Sequence, residues 1–346
     1  MLKAHYSKYV LNFKRPSGTS RGILNTKETW FLFLQNDNKQ AVGECGILRG
    51  LSIDDRPEYE EKLAWVCKNI NLGLKTLFEE LTGFPSIQFG LEQAFLSLNS
   101  ASKFELYPSE FTTGKIGIPI NGLIWMGDKA FMKAQIKEKI ALGFTCVKMK
   151  IGAIDFTAEI DLLRAIRKEY SADEIELRVD ANGAFTPNNA LEKLKRLSDF
   201  HIHSIEQPIK QGQIQEMAAL CECTPLPIAL DEELIGVYSV TNKRKLLQTI
   251  QPQFLILKPS LVGGYKGSGE WIELAKKKKI NWWITSALES NIGLNAIAQW
   301  TNTLQSSMPQ GLGTGGLYTN NFSSPLEIKN GSLHYNTSKK WNFNLK

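Results

Sequence analysis

The chain has 346 residues, of which 42% are hydrophobic and 22% charged, and its formal net charge is +6. This composition is typical of a globular protein with two domains or one large barrel with an addition. It contains no apolar run of the roughly 20 residues that span a bilayer and no secretory signal, and its five scattered cysteines favour a reduced, cytoplasmic protein over a disulfide scaffold.

The positive charge is distributed in a way that argues against nucleic-acid binding. The densest run, KKKK at 276–279, follows EWIELA and is typical of the last turn of a helix, where cations complement the helix dipole. No basic groove interleaved with aromatic residues accompanies it. A mild positive field instead suits a small anionic carboxylate substrate, and no membrane partner is expected.

Residues 1–112 predict an α+β capping domain. Strand patterns at 28–35 and 39–46 flank the turn NDN and predict a hairpin. Before them, RPSGTSRG at 15–22 has the composition of a loop and predicts a mobile flap. Apolar residues then recur at helical spacing from Pro57 to about Leu81 and from Pro85 to about Ala101.

Residues 113–316 alternate between short apolar runs and amphipathic helices. This alternation favours a modified (β/α)₇β TIM-like barrel over a doubly wound sheet. The tail, about 317–346, is rich in strand and turn patterns, and we expect it to pack on the first domain. The strand patterns are IGIPING (116–122), TCVKMKIG (145–152), IELRVDA (175–181), IHSIEQP (202–208), PIALDE (227–232), FLILKPS (254–260), NWWITSA (281–287) and QGLGTG (310–315).

Charged residues stand where these predicted strands finish. Lys148 and Lys150 alternate with Val147 and Met149, so the two lysines share one face of their strand. Four further charges follow at intervals of 25 to 30 residues, about one βα unit each, and the ends of barrel strands converge on one site. These four residues are Asp180, Glu206, Asp231 and Lys258.

Three carboxylates from consecutive strands, without histidine or thiolate, predict a metal site made of hard oxygen ligands. Such a site favours Mg²⁺, with Mn²⁺ as the alternative. Lysines beside it would repel one another and, next to the cation, have a lowered pKa, so that one of them acts as a neutral base. The pattern therefore predicts metal-assisted abstraction of a proton next to a carboxylate.

These motifs resemble the enolase superfamily, in its muconate-lactonizing-enzyme subgroup. The matching segments are KMK at 148–150, DANGAF at 180–185, IEQP at 205–208, LDE at 230–232 and LKPS at 257–260. The resemblance covers both regions and implies the capping domain and the barrel. It implies that Asp180, Glu206 and Asp231 bind the metal, that Lys150 is the base, that Lys148 contacts the substrate carboxylate, and that Lys258 faces them across the pocket.

Within the subgroup, the chain resembles the o-succinylbenzoate synthase family of menaquinone biosynthesis. LKPSLVGG, ITSALESNIGLNAIAQW, QGLGTGGLYTNN and PSGTSRG carry this likeness. It implies dehydration of 2-succinyl-6-hydroxy-2,4-cyclohexadiene-1-carboxylate through an enediolate. Lys150 would take the α proton and return a proton to the leaving hydroxide, while Lys258 would stabilise the anionic ring. The expected substrate contacts are Arg178, Thr285, Ser286, Gly313 and Thr314.

Two related activities remain open from the sequence. An N-succinylamino-acid racemase would use the same metal site with Lys150 and Lys258 as bases on opposite faces of the substrate carbon. Dipeptide epimerases resemble one another in an acidic D-x-D motif at strand eight, which holds the substrate ammonium. This chain has GLGTGG there, without an acidic residue, so the epimerase activity is less favoured. The mandelate-racemase subgroup uses a histidine from strand seven, and NWWITSALES contains none.

Patterns from other functional classes are weaker. Gly311, Gly313 and Gly316 fit G-x-G-x-x-G, but no helix start or acidic partner follows them as a dinucleotide site requires. HIH at 201–203 lacks the further histidines of a metal-dependent hydrolase, and CEC at 221–223 lacks a second pair for zinc. A non-enzymatic binding barrel would be expected to have lost some of the six charged residues at the strand ends. This chain has all six, which favours an enzyme. A homo-oligomer is compatible with the sequence.

Overall fold

The structure, a computed structural model, describes residues 1–19, 22–125, 127–152 and 154–345. It contains an N-terminal antiparallel sheet covered by helices and a curled, seven-stranded parallel sheet surrounded by helices. The predicted (β/α)₇β barrel with an α+β capping domain is therefore confirmed. Within the described ranges, no helix has the length and apolar character needed to cross a membrane.

Three antiparallel strands open the chain and pair in sequence order. The predicted hairpin turn is confirmed, because the Asn36 N–H donates to the Lys39 carbonyl at 3.0 Å. The middle strand is buried on both faces, with Trp30 packed towards the helices and Phe31 towards the C-terminal tail. The strands are β1 (Lys3–Thr19), β2 (Gly22–Gln35) and β3 (Gln40–Gly46).

The segment 15–22, predicted to be a mobile flap, belongs largely to the hairpin of β1 and β2. β1 continues to Thr19 and β2 begins at Gly22, while residues 20–21 of the predicted flap lie outside the described part of the chain. Polar and small residues join a two-stranded ladder here because the ladder is made by backbone groups. The loop prediction was wrong for the residues that the structure describes.

Three helices cover one face of this sheet. The continuous helical pattern predicted from 57 to 81 is divided by a 3₁₀ turn at Ile70–Leu72, and Gly73 follows it with φ +81°. The last helix lies directly on β3, because Gly43 and Gly90 lack side chains: a Cβ on Gly43 would lie 1.9 Å from the Gly90 carbonyl oxygen. The helices are α1 (Tyr59–Lys68), α2 (Gly73–Glu80) and α3 (Pro85–Asn99).

The barrel strands run parallel, and neighbours in sequence are neighbours in space. The pattern at 116–122 predicted the first strand too early: β4 (Ile118–Pro119) belongs to another sheet, and the barrel begins with the next strand. The barrel strands are β5 (Gly122–Ile124), β6 (Cys146–Lys150), β7 (Glu176–Asp180), β8 (Ser204–Glu206), β9 (Ile228–Leu230), β10 (Phe254–Leu257) and β11 (Asn281–Ile284).

The eighth predicted strand, 310–315, closes the barrel through two single-residue parallel bridges. Gln310 pairs with Ile120 on one side and Gly311 pairs with Thr285 on the other. The Gly311 N–H donates to the Ile284 carbonyl at 2.8 Å. This short connection brings residues 313–314 to the mouth of the barrel beside the end of β11.

Helices fill the intervals between the barrel strands as predicted. The α4 helix is capped by the Asp128 side chain, and Gly143 with φ +80° follows its end. The KKKK run begins in the last turn of α10, as the charge pattern indicated, and its second half follows the helix end at Lys277. The helices are α4 (Lys129–Ala141), α5 (Phe156–Glu169), α6 (Pro187–Ser198), α7 (Ile214–Cys223), α8 (Val240–Ile250), α9 (Pro259–Val262), α10 (Gly264–Lys277) and α11 (Asn291–Thr303).

Part of the C-terminal tail contacts the N-terminal sheet. Its strands β12 (Leu326–Lys329) and β13 (Ser332–Tyr335) form a hairpin that also pairs with β4. Beyond them, Phe343 packs edge-on against Phe31, with ring centroids 5.1 Å apart. The predicted domain boundaries after residues 112 and 316 stay predictions.

A buried carboxylate joins the capping domain to the barrel. Glu92 on α3 accepts the Tyr265 N–H at 2.6 Å and the Lys266 N–H at 3.1 Å, both from the first turn of α10. These two amides belong to the set that a helix leaves without internal partners. Glu92 therefore caps a barrel helix from the capping domain.

Candidate active site

The predicted charges meet at the carboxyl ends of the barrel strands. Lys148 and Lys150 lie on β6, opposite Arg178 and Asp180 of β7 in the strand register. Glu206 ends β8, and Asp231 and Lys258 directly follow β9 and β10. Val147 and Met149 are buried in the hydrophobic core, so β6 directs its apolar face outward and its lysines inward, as alternation predicted.

The lysines and carboxylates form one ion-pair network. Lys148 Nζ lies 3.0 Å from Asp180 Oδ2 and 2.5 Å from Glu206 Oε2. Lys150 Nζ lies 3.0 Å from the same Asp180 oxygen. On the other side, Lys258 pairs closely with Asp231, and its Nζ is 3.7 Å from Glu206 Oε1. The six side chains therefore compensate one another inside the barrel.

Burial and neighbouring charges act in opposite directions on these groups. Burial acts to lower the pKa of Lys148, but the carboxylates of Asp180 and Glu206 outweigh it and raise that pKa. Lys258 behaves in the same way beside Asp231. Burial acts to raise the pKa of Asp180, and Lys148 and Lys150 outweigh it, so that pKa is lowered. In this arrangement the expected lowering of a lysine pKa is not found for Lys148 or Lys258, because carboxylates rather than cations dominate their surroundings.

Asn182 holds the predicted base from a second side. Lys150 Nζ donates to Asn182 Oδ1 at 2.6 Å, and Asn182 Nδ2 donates to Glu232 Oε1 at 3.0 Å. Because a carboxylate only accepts hydrogen bonds, Glu232 determines which end of the Asn182 amide faces Lys150. Asn182 has φ 43°, a left-handed conformation that asparagine tolerates better than most residues.

The three carboxylates fit a hard divalent cation by their chemistry. Asp180, Glu206 and Asp231 are only 1–2% exposed, and Glu206 Oε1 has no hydrogen-bond partner among the described residues. Buried carboxylate oxygens require a cation or a donor, and oxygen ligands are those that Mg²⁺ prefers. Within the described ranges, no three acidic, histidine or cysteine side chains are gathered closely enough to hold a metal, because lysine ammonium groups lie between the carboxylates.

A pocket opens above this network, and four of the five predicted substrate contacts line it. Thr285, Ser286, Gly313 and Thr314 form one wall, facing Lys148 and Lys150 on the other. The wall exists because Gly311 bridges to Thr285, directly after β11, and brings the strand-eight loop beside it. Their roles in substrate binding stay predictions.

Arg178, the fifth predicted contact, does not line the pocket. Its guanidinium lies 4.3 Å from the Trp283 ring centroid, donates from Nε to Glu176 Oε1 at 2.7 Å and from Nη1 to the Pro309 carbonyl at 2.9 Å. Arg178 does share the inward face with Asp180, but two residues along a strand correspond to about 6.6 Å. It therefore lies one layer deeper in the barrel, where it fills the core.

Other pocket residues were missed by sequence reasoning. Ile23 and Leu24 at the tip of the β1–β2 hairpin, Leu48 and Leu51 after β3, and Trp125 after β5 supply apolar walls. No local pattern marks such residues, since they meet only when the capping domain lies over the barrel. Asn182 could have been found, because it follows Asp180 by two residues in DANGAF.

Comparison with known proteins agrees with this architecture. The sequence matches the family described as "Enolase C-terminal domain-like" over residues 131–339. It is 48% identical to o-succinylbenzoate synthase of Desulfotalea psychrophila, over 96% of this chain and 98% of that protein. It is also 26% identical to N-succinylamino acid racemase of an Amycolatopsis species, over 92% of this chain and 88% of that protein.

Solved structures show the same fold. The crystal structure of MenC from Desulfotalea psychrophila superposes with a TM-score of 0.86 at 45% identity, covering 96% of this chain and 99% of that chain. A dipeptide epimerase from Enterococcus faecalis, solved in complex with Mg and the dipeptide L-Leu-L-Tyr, gives a TM-score of 0.83 at 18% identity, with 96% of each chain covered.

Proposed function

The chain belongs to the enolase superfamily, and from this we propose that it is an o-succinylbenzoate synthase, a lyase that dehydrates 2-succinyl-6-hydroxy-2,4-cyclohexadiene-1-carboxylate. The observation that carries this proposal is the 48% identity to a protein of that name over nearly the whole of both chains. The six charged side chains at the barrel mouth supply the groups that this reaction needs. The product would enter menaquinone biosynthesis.

In this proposal, Lys150 acts as the base. Its Nζ lies on the pocket wall, held by Asp180 and Asn182 at 3.0 and 2.6 Å. It takes the proton α to the ring carboxylate and then returns a proton to the departing hydroxide from the same face, so no second acid is required. Aromatisation of the ring provides the driving force, and the protein contributes position and charge.

Asp180, Glu206 and Asp231 would hold Mg²⁺, with Mn²⁺ as the alternative ion. When bound, the cation supplies positive charge beside the substrate carboxylate and offsets the carboxylates that now raise the pKa of Lys148. Lys148 lies beside Lys150 on β6 and would contact the substrate carboxylate. Lys258, on the far side, would face the anionic ring.

One observation favours a second candidate, an N-succinylamino-acid racemase. Lys150 and Lys258 both line the pocket, as two bases acting on opposite faces of one carbon require. A dipeptide epimerase is less favoured, because residues 311–316 contain no acidic residue that could bind a substrate ammonium.

Turnover measurements separate these functions. We expect the diene absorbance of the cyclohexadiene carboxylate to disappear with Mg²⁺, to persist with EDTA, and to persist with Lys150→Ala. Racemisation of N-succinyl amino acids, followed by polarimetry, would run in parallel. Racemisation without diene turnover would contradict the synthase proposal while keeping the site, and inertness towards both substrates would contradict both functions.

A further inference from the structure

A second set of buried charges lies where the capping domain meets the barrel, and the reaction described above does not use it. We call it the Lys27 cluster: Lys27 of β2, Glu44 of β3 and Glu289 in the loop between β11 and α11. Lys27 is 4% exposed and both carboxylates are 0% exposed. Because burying charges is costly, this cluster requires an explanation.

Glu44 holds the start of α11. Its carboxylate accepts the N–H of Ser290 at 2.9 Å, the N–H of Gly293 at 2.8 Å and the Ser290 hydroxyl at 2.5 Å. It also accepts the Thr29 hydroxyl at 2.9 Å. A carboxylate at a helix N-terminus satisfies unpaired amides and complements the helix dipole. Glu44 therefore fixes the loop that precedes α11 to the capping domain.

Glu289 fixes hydroxyl groups on the wall of the pocket. It accepts from Ser260 at 2.6 Å and from Ser286 at 2.5 Å, and the Thr314 hydroxyl donates to Ser286 at 3.0 Å. Since an ionised carboxylate only accepts, the Ser286 hydroxyl must donate to it and can only accept from Thr314. The orientation of both pocket hydroxyls therefore depends on the charge of Glu289.

Lys27 supplies the compensating charge. Within the described part of the chain, its Nζ has no hydrogen-bond partner. Burial lowers the pKa of Lys27, whereas the charges of Glu44 and Glu289 act to raise it. Burial likewise raises the pKa of Glu289, and the Lys27 ammonium opposes that effect. Gly46 leaves room for the ammonium, because a Cβ there would lie 2.5 Å from Lys27 Nζ and 3.7 Å from Glu44 Oε1. A Cβ on Gly293 would lie 2.9 Å from both Glu44 Oε2 and Glu289 Cγ, so the three charged side chains are neighbours.

We propose that Lys27 is a positioning residue for the substrate pocket. Its charge offsets the adjoining Glu44 and Glu289 carboxylates, and Glu289 in turn fixes the Ser286 and Thr314 hydroxyls on the pocket wall. Lys27 lies three residues after Leu24, which lines the same pocket from the hairpin tip. The cluster thus joins the part of the capping domain that covers the pocket to the barrel loop that forms its wall. This proposal rests on the proposed function for the identity of the substrate.

The test is Lys27→Met, which keeps the length of the side chain and removes its charge. Loss of the ammonium favours the protonated form of Glu289, which can donate a hydrogen bond, so the hydroxyl chain loses its fixed direction. We expect KM for the cyclohexadiene carboxylate to rise about tenfold, the effect of one misplaced hydrogen bond, with kcat within about threefold of wild type. Gly46→Ala displaces the same ammonium and should also raise KM. The double variant Lys27→Met/Glu289→Gln should have a KM no higher than that of the more impaired of its two single variants, because both changes act through Glu289.

The matched control is Glu92→Gln, which changes another buried carboxylate joining the capping domain to the barrel, at α10 and away from the pocket. It should leave KM within about twofold of wild type. An unchanged KM in Lys27→Met, or an equal rise in Glu92→Gln, would overturn the proposal, since general loosening between domains would then explain the data.

Hydrogen exchange separates failure of this proposal from failure of the proposed function. If wild type does not turn over the cyclohexadiene carboxylate, the synthase function is wrong, but the Lys27 cluster can still be judged. Lys27→Met should then speed exchange of amides in 286–293 at least about tenfold, and Glu92→Gln should not. Unchanged protection of 286–293 in Lys27→Met would contradict the proposal whatever the substrate is.

Discussion

The buried carboxylate of Glu92 makes the stability of this protein depend on pH in a calculable way. Burial raises the pKa of Glu92 to about 7 from its reference value of 4.5, although the Tyr265 and Lys266 amides act to lower it. The folded protein therefore binds more protons than the unfolded chain between these two values. Stability contributed by protonated Glu92 is present below pH 4.5 and is lost as pH rises through about 7.

The size of this loss follows from the pKa difference. Each unit corresponds to about 1.4 kcal/mol, so the raised pKa of Glu92 costs about 3 kcal/mol between pH 4.5 and 7. A chain of 346 residues has an unfolding entropy near 0.7 kcal/mol/K. The Tm of wild type should therefore fall about 4 °C further than that of Glu92→Gln over this interval.

Scanning calorimetry at several pH values between 4.5 and 8 measures the difference directly. Glu273→Gln is the control, because Glu273 lies on the same helix α10, is exposed and pairs only with Lys276 among the described residues. Its pH profile should match that of wild type. Parallel profiles for wild type and Glu92→Gln would show that Glu92 does not titrate in this range and would refute the reasoning.

Three further outcomes are expected. Arg178→Met should lower stability by about 3 kcal/mol, because it removes the guanidinium bonds to Glu176 and to the Pro309 carbonyl, and it should leave KM unchanged. A higher KM at unchanged Tm would support Arg178 as a substrate contact. Asn182→Ala and Asn182→Gly should each lower kcat about tenfold, because both remove the hydrogen bond to Lys150 Nζ. Only the alanine variant is strained at φ 43°, so an equal loss in both separates the hydrogen bond from backbone strain. An unchanged kcat would show that Lys150 does not need the Asn182 hydrogen bond. Mg²⁺ at about 100 times its Kd should stabilise wild type by about 2.7 kcal/mol in thermal denaturation, whereas Asp231→Asn should lose this effect; equal stabilisation would exclude Asp231 as a ligand.

The sequence by itself determined the barrel and the six charges at its mouth. Strand period placed Lys148 and Lys150 on one face, and βα spacing placed Asp180, Glu206, Asp231 and Lys258 at successive strand ends. These patterns are local, because side chains alternate along a strand and each βα unit repeats the same path. Thr285, Ser286, Gly313 and Thr314 follow the last two strands of the barrel and line the pocket, while their role in substrate binding stays a prediction.

Only the tertiary structure decided what lies around those charges. Alternation places Arg178 and Asp180 on the same inward face and could not show that only Asp180 reaches the pocket. The Arg178 guanidinium lies deeper in the barrel, where it contacts the Trp283 ring and the Pro309 carbonyl. Likewise, the loop-like segment 15–22 became part of a hairpin whose tip lines the pocket. The Lys27 cluster joins residues more than 240 positions apart, and only the packing of two domains brings such residues together.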